Sequence, residues 1–249
     1  MRKTVWITGA GKGIGRALAL HMAREGWSVA ASARTVEDLT SLAVEGEAGR
    51  IHVFALDVTD LDATQKTIVK IEGELGPIDM AILNAGTHVA MSAENFSVAT
   101  FRKLVDVNLM GPVNGLGVLL PLFRVRGRGH IAVVASVAGY RGLPTSSAYG
   151  ATKAALINMC EALKPELVRD GIDLSLINPG FVETPLTEKN KFPMPFLISA
   201  EEAATTIYKG LINKKFEISF PWTFVLLLKL MRLLPYRLFF FLTSRMVTP

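Results

Sequence analysis

Tyr149 and Lys153 stand four residues apart in the run Tyr149-Gly150-Ala151-Thr152-Lys153, a spacing that puts both side chains on one face of a helix. A phenol titrates near ~10 in water, and an adjacent ammonium favours the phenolate and draws that value toward working pH, as acid/base chemistry on an alcohol or carbonyl requires. A second run, Thr8-Gly9-Ala10-Gly11-Lys12-Gly13-Ile14-Gly15, lies between a short apolar stretch and a helical one. There glycines let the backbone approach a pyrophosphate at a helix N-terminus. The spacing is not G-x-G-x-x-G, because Ile14 and Arg16 stand where that pattern needs glycine. Nor is it the P-loop, which needs Ser or Thr after Gly-Lys.

The elements that must hold these residues are legible in the hydropathy pattern. Apolar runs at 4–8, 28–33, 52–56, 78–83, 130–135, 173–177 and 216–220 read as strands. Segments of helical period at 14–25, 36–43, 60–75, 98–123 and 147–168 separate them. Such alternation predicts a parallel sheet with helices on both faces, and the lack of polar alternation within the strand runs fits strands covered on both sides. The segment 185–199, with Pro193 and Pro195 inside it, breaks the pattern and reads as a mobile loop. With 249 residues and 50% apolar content, the chain suits one domain with a substantial core. Its single cysteine, Cys160, excludes an internal disulfide, fits a reducing compartment, and reads as a small buried hydrophobe. The N-terminus meets the glycine cluster too soon for a secretory signal and reads as a first strand.

Net charge is +5, and the excess is local: from Lys214 onward there are six basic residues and one acid, Glu217, while the other 213 residues hold 21 of each sign. This argues against a nucleic-acid-binding body and for an electrostatic role of the last stretch. No cluster of His, Cys, Asp or Glu has metal-ligand spacing, so no metal is expected.

The octet beginning at Thr8 matches Thr-Gly-x-x-x-Gly-x-Gly, and with it the chain resembles the short-chain dehydrogenase/reductase family, classical type. Further residues follow in that family's order over residues 4 to about 220: Asp57-Val58, Asn84-Ala85-Gly86, Asn108, Ser136, Tyr149 with Lys153, then Pro179-Gly180, Val182 and Thr184. The resemblance implies a Rossmann-like, doubly wound, seven-stranded parallel sheet with the cofactor at the carboxyl ends of the strands. It implies four catalytic residues. Tyr149 exchanges the proton, Lys153 lowers its pKa and holds the nicotinamide ribose, Ser136 hydrogen-bonds the reacting oxygen, and Asn108 kinks its helix and seats a water in the proton relay. It also implies a cofactor site made of Gly9, Gly11, Lys12, Gly13, Ile14, Gly15, Arg34, Asp57, Val58, Asn84, Ala85, Gly86, Tyr149, Lys153, Pro179, Gly180, Val182 and Thr184.

Enzymes that use NAD place an acid at the end of the second strand. Between Gly26 and Val36 there is no Asp or Glu, and Arg34 stands there with Lys12 in the glycine loop. Two cations at the expected position of a 2′-phosphate point to NADP(H) and to net carbonyl reduction. His88, just beyond Gly86, reads as a surface-loop histidine rather than a substrate contact. Residues 1–220 are expected to form the dinucleotide-binding catalytic domain and 221–249 an apolar, basic extension of it. The extension reads as two short amphipathic helices separated by Pro235, and its longest charge-free run, 218–228, is too short for the ~20 residues that cross a bilayer. It suits an in-plane interfacial anchor, with packing on the body or a dimer contact as the competing reading. Phe181, Leu186, Phe192, Met194, Phe196 and Leu197 give the preceding segment an apolar, lid-like character. The expectation is a lipophilic carbonyl substrate of 3-keto-lipid or steroid type, with a cytoplasmic and peripherally membrane-associated homodimer or homotetramer. The alternatives are a reductase of a small soluble ketone that dimerises through the tail, and a non-catalytic NADP-binding or membrane-associated protein.

Overall fold

The computed structural model describes residues 2–188 and 194–247. Seven strands, β1 (Thr4–Thr8), β2 (Ser28–Ala33), β3 (Ile51–Ala55), β4 (Ile78–Leu83), β5 (Gly129–Val134), β6 (Ile172–Pro179) and β7 (Glu217–Phe220), form one sheet in the order β3-β2-β1-β4-β5-β6-β7. Every pairing is parallel. The helices between them are α1 (Gly13–Arg24), α2 (Val36–Glu45), α3 (Leu61–Leu75), α4 (Val98–Val105), α5 (Gly111–Arg126), α6 (Ser147–Arg169) and α7 (Ala200–Ile212), and after β7 come α8 (Trp222–Leu233) and α9 (Tyr236–Thr243).

Each strand feeds both faces because successive side chains alternate. Val5 and Ile7 join the core beneath α1, α2 and α7, whereas Trp6 joins the core beneath α3, α5, α6 and α8. The reversal of strand order falls between β1 and β4, so the ends of these two strands open the crevice that such sheets use for ligands. Asp60 caps α3 by accepting from the Ala63 N–H at 2.9 Å, Ser97 caps α4 by accepting from Thr100, and Ser199 caps α7 by accepting from Glu202.

The helix expected over 98–123 is interrupted: residues Asp106–Met110 form a π turn between α4 and α5. One extra residue is accommodated there, which turns Asn108 inward to zero exposure. By length and composition the stretch Val98–Arg126 is apolar enough to cross a bilayer, but it packs against α3 and α6. The tail forms the two expected helices, with Pro235 immediately before α9. Its α8 buries Phe224, Val225 and Leu228 in the same core as α6, so packing on the body describes one side of it. Phe192 and Pro193 lie outside the described residues.

Candidate active site

The turn after β1 is built by close approach. Gly9 has φ +67°, and a Cβ there would stand 2.8 Å from Ala85 Cα; a Cβ on Gly15 would stand 2.3 Å from the Gly9 carbonyl oxygen. No larger residue fits either position. The Thr8 hydroxyl accepts from the N–H groups of Asn84 (2.9 Å) and Ala85 (3.1 Å), while Asn84 Nδ2 donates to the carbonyls of Thr8 (3.0 Å) and Gly9 (3.2 Å). These bonds fold the glycine turn against the end of β4. Helix α1 then starts at Gly13 with no side-chain cap from Lys12, so its first-turn N–H groups and positive dipole end are left for an anion. The backbone cradle and this uncapped helix start fit a dinucleotide pyrophosphate.

The acid/base residues meet across the crevice from two elements. Ser136 follows β5, 8% exposed, and its hydroxyl accepts from the Ala138 N–H at 3.1 Å. Tyr149 and Lys153 lie on one face of α6, and the Lys153 ammonium is 5.7 Å from the centre of the Tyr149 ring. Lys153 is 3% exposed and donates to the Val134 carbonyl at 2.8 Å, and burial draws its pKa down to about 8. The expected depression of the Tyr149 phenol is absent: burial raises its pKa, and the neighbouring Ser136 hydroxyl offsets this only in part. Removing the phenolate from water costs more than these neighbours return.

Asn108 sits behind this pair with its amide fully engaged. Its Oδ1 accepts from the Thr87 N–H at 2.7 Å, and its Nδ2 donates to the Thr87 carbonyl at 2.9 Å and to the Thr152 hydroxyl at 3.3 Å. It thereby ties the segment after β4 to α6. That segment carries His88, whose ring packs edge-on against Tyr149 with centroids 4.8 Å apart. The surface-loop expectation for His88 is corrected: it is half-buried, and burial lowers its pKa.

A cleft of about 430 Å³ joins the two halves. Gly9, Lys12, Gly13, Ile14 and Gly15 line its cradle end, Asn84 and Gly86 its floor, and Ser136, Tyr149 and Lys153 its reacting end. Pro179, Gly180, Val182 and Thr184 line the side after β6, together with Pro185, Leu186 and Thr187. Gly11, Arg34, Asp57, Val58, Ala85 and Asn108 do not line it. Gly11 lies against Asp38, Val58 is buried against Gly111 with its carbonyl accepting from Asn114 at 2.9 Å, and Ala85 packs behind Gly9. Arg34 and Asp57 stand on the surface beyond the cradle, 4.0 Å apart. Lys12 pairs with Asp38 at 3.2 Å, a carboxylate that lies beyond the end of β2 and is brought back by the first turn of α2. Thr87 and Ala135 line the cleft as well, and only their adjacency to expected residues marks them in the sequence.

A dinucleotide cradle and a hydroxyl-ammonium constellation sharing one cleft on a doubly wound sheet define an NAD(P)-dependent dehydrogenase or reductase. The chain belongs to the short chain dehydrogenase family, which residues 3–193 match. It is 38% identical over 239 residues to an uncharacterized oxidoreductase of Myxococcus xanthus, covering 95% of this chain and 94% of that one. It is 32% identical over 222 residues to the ketoacyl reductase HetN of a Nostoc species, covering 87% and 77% respectively. Among solved structures, an alcohol dehydrogenase of the archaeon Thermococcus sibiricus complexed with 5-hydroxy-NADP superimposes with a TM-score of 0.79 at 26% identity, covering 88% of this chain and 96% of that one. Chains of the same fold hold NAD or NADPH.

Proposed function

We propose that this oxidoreductase uses NADP(H) to interconvert a carbonyl and a secondary alcohol, working toward reduction of a lipophilic ketone of the 3-keto-lipid or steroid type. The observation that carries the reading is the convergence of Tyr149, Ser136 and Lys153 at one end of the cleft whose other end is the glycine cradle. When bound, the nicotinamide dinucleotide supplies the hydride. The chain's own groups do the rest. Tyr149 donates its proton to the carbonyl oxygen, Ser136 hydrogen-bonds that oxygen as charge develops, and Lys153 holds the ribose and keeps positive charge beside the phenol. Asn108 fixes Thr87 and the start of α6 and seats the relay water. Asn84 holds the cradle in shape.

Arg34 and Lys12 are the groups for a 2′-phosphate. Each is about two-thirds exposed and each faces one carboxylate across a surface ion pair, a kind of contact that a phosphate dianion readily replaces. The apolar character of the substrate rests on Val182 and Leu186 in the cleft and on the apolar segment beside it, where Phe181 stacks on the core residue Phe224 with ring centres 5.4 Å apart. The same character, together with the exposed apolar faces of α8 and α9, pairs the reaction with a peripheral membrane contact. The helices that carry Asn108 and Tyr149 are the surface for a homodimer or homotetramer. The HetN relative, named a ketoacyl reductase, is in keeping with ketone reduction.

The test is NADPH and NADH oxidation by purified protein against small ketones, steroids and long-chain 3-keto-lipids. Turnover of a long-chain or steroidal ketone is expected with NADPH, and Tyr149→Phe should lower kcat by roughly 10²–10⁴-fold, the range for loss of a positioned acid, while NADPH still binds. Arg34→Ala should narrow the NADPH-over-NADH preference by about tenfold or more, since a hydrogen bond to a charged group is worth about 1.5–3 kcal/mol. Turnover confined to small ketones would refute the lipophilic assignment, and equal use of both cofactors would refute the NADP(H) assignment.

A further inference from the structure

We propose that α8, α9 and the exposed Phe196 and Leu197 form one face that docks on an anionic bilayer and turns the mouth of the cleft toward it. This rests on the lipophilic-carbonyl reading and deepens it by naming the surface that delivers the substrate.

The tail is bolted to the body on one side and apolar on the other. Phe224, Val225 and Leu228 are core residues, whereas Trp222, Leu226, Leu230 and Leu233 stand exposed along the opposite stripe of α8, Trp222 at 73% and Leu233 at 79%. Tyr236, Phe240 and Phe241 continue the exposed apolar surface on α9. Two contacts hold the helices in this arrangement. Arg141 Nη1 lies among the carbonyl oxygens of Met231 (2.6 Å), Arg232 (3.0 Å) and Leu234 (2.7 Å) at the end of α8, and its guanidinium stacks 3.9 Å from the Phe239 ring of α9. Lys229 bonds Glu217 at 2.5 Å, and the same carboxylate accepts from the Tyr140 hydroxyl. Tyr140 and Arg141 follow Ser136 by four and five residues, so the tail is fastened to the segment that carries the reacting hydroxyl.

Charge selects the occupant. Glu217, the one acid after Lys214, is neutralised internally by Lys229, and Arg232, Arg237 and Arg245 have no carboxylate partner among the described residues. A second copy meeting this face about a two-fold axis would bring the same cations against themselves, whereas anionic headgroups complement them. With twelve residues, α8 is about 18 Å long, short of the ~30 Å hydrocarbon core. It therefore lies in the interface, and Trp222 and Tyr236 at the two helix starts are of the type that settles at headgroup level. The face borders the segment beside the cleft. Behind the exposed stripe, the ring centre of Phe224 lies 6.2 Å from that of Phe196 and 5.4 Å from that of Phe181, and the bridge between Ile198 and Val182 joins this segment to a residue lining the cavity.

Flotation of the full chain with phosphatidylcholine vesicles, with and without phosphatidylglycerol, tests this, and NADPH binding in the same samples reports the fold. Binding that is stronger on anionic vesicles and weakened by salt is expected. Trp222→Glu/Leu230→Glu/Phe240→Glu should abolish flotation with NADPH binding retained. Arg232→Gln/Arg237→Gln/Arg245→Gln should weaken anionic binding by on the order of a hundredfold, at about fivefold per lost cation. Equal binding to both vesicle types would overturn the anionic assignment. Absence of flotation by the folded wild type would overturn membrane docking, and so would a glutamate variant that turns an oligomer into a monomer with flotation unchanged. Flotation is read without substrate, so it stands or falls separately from the reductase reading.

Discussion

Asn84 shows how much one carboxamide decides here. Both of its donated bonds go to carbonyls of the glycine turn, and its own N–H joins that of Ala85 on Thr8. Asn84→Ala leaves two part-buried carbonyls unpaired, which should cost about 2 kcal/mol and lower Tm by roughly 4–8 °C for a chain of this length. Weaker NADPH binding should accompany it. Asn84→Asp should not rescue either property, because a carboxylate has no N–H to give. Lys153 carries a pH prediction of its own. Its pKa of about 8 lies below the ordinary 10.5 because of burial, so the ammonium is intact below pH 8 and is lost above it. The kcat/KM profile of the free enzyme should fall above about pH 8. Over the interval from 8 to 10.5 the unfolded chain holds this proton and the folded chain does not, so stability from this group rises as activity falls. Most of the cleft was legible through the family resemblance that residue type and spacing carry, but the packing of His88 on Tyr149 and the pairing of Asp38 with Lys12 were not. Their positions depend on how the segment after β4 and the first turn of α2 fold back, and local sequence says nothing of that return.

At the scale of elements, the strands were legible because a parallel sheet covered on both faces leaves continuous Val, Ile and Ala runs, and their observed bounds lie within two residues of the expected ones. A kink at Asn108 was expected only through the family resemblance; the π turn that produces it carries no signal within Asp106–Met110, although Gly111 and Pro112 follow directly. Helix α7 was missing from the expected helices, although Ser199 followed three residues later by Glu202 is a capping-box spacing that marks its start. The tail was legible as two apolar helices, but which side of α8 packs depends on Arg141 and Glu217, both outside it. Arg141→Ala should release the end of α8 from its three carbonyl contacts and α9 from its stacked cation. Limited proteolysis should then cut between residues 231 and 243 far faster than in the wild type, and the KM for a long-chain ketone should rise more than kcat falls. Unchanged proteolysis would refute the clamp.

Across the whole molecule, the end of the sheet opposite the cleft carries the acid sensitivity. His130 is buried, its Nε2 2.8 Å from the Ser175 hydroxyl, which itself donates to the Lys215 carbonyl at 2.6 Å. Ser175 must then accept from the ring, which fixes the neutral tautomer with Nε2–H. Burial pulls the His130 pKa down to about 4, with Asp173 acting upward and Lys214 and Lys164 downward. The unfolded histidine takes a proton below about 6.5, so the stability tied to the neutral ring is complete above that pH and drains away as pH falls to about 4, by about 3 kcal/mol in all. Urea unfolding of the wild type and of His130→Asn at pH 7 and pH 4.5 checks this: the wild type should lose markedly more between the two. Chain order adds a consequence of another kind. The glycine turn, Ser136, Tyr149 and Lys153 all precede residue 154, the side of the cleft after β6 follows at residues 179–187, and Phe224 and Lys229, which pack and fasten the tail, come some seventy residues after Lys153. During synthesis the reacting groups and the glycine turn therefore emerge first, and the last side of the cleft and the helix packed behind it are added only near the end, so a ribosome-bound chain carries its chemistry before it has the site that shelters it.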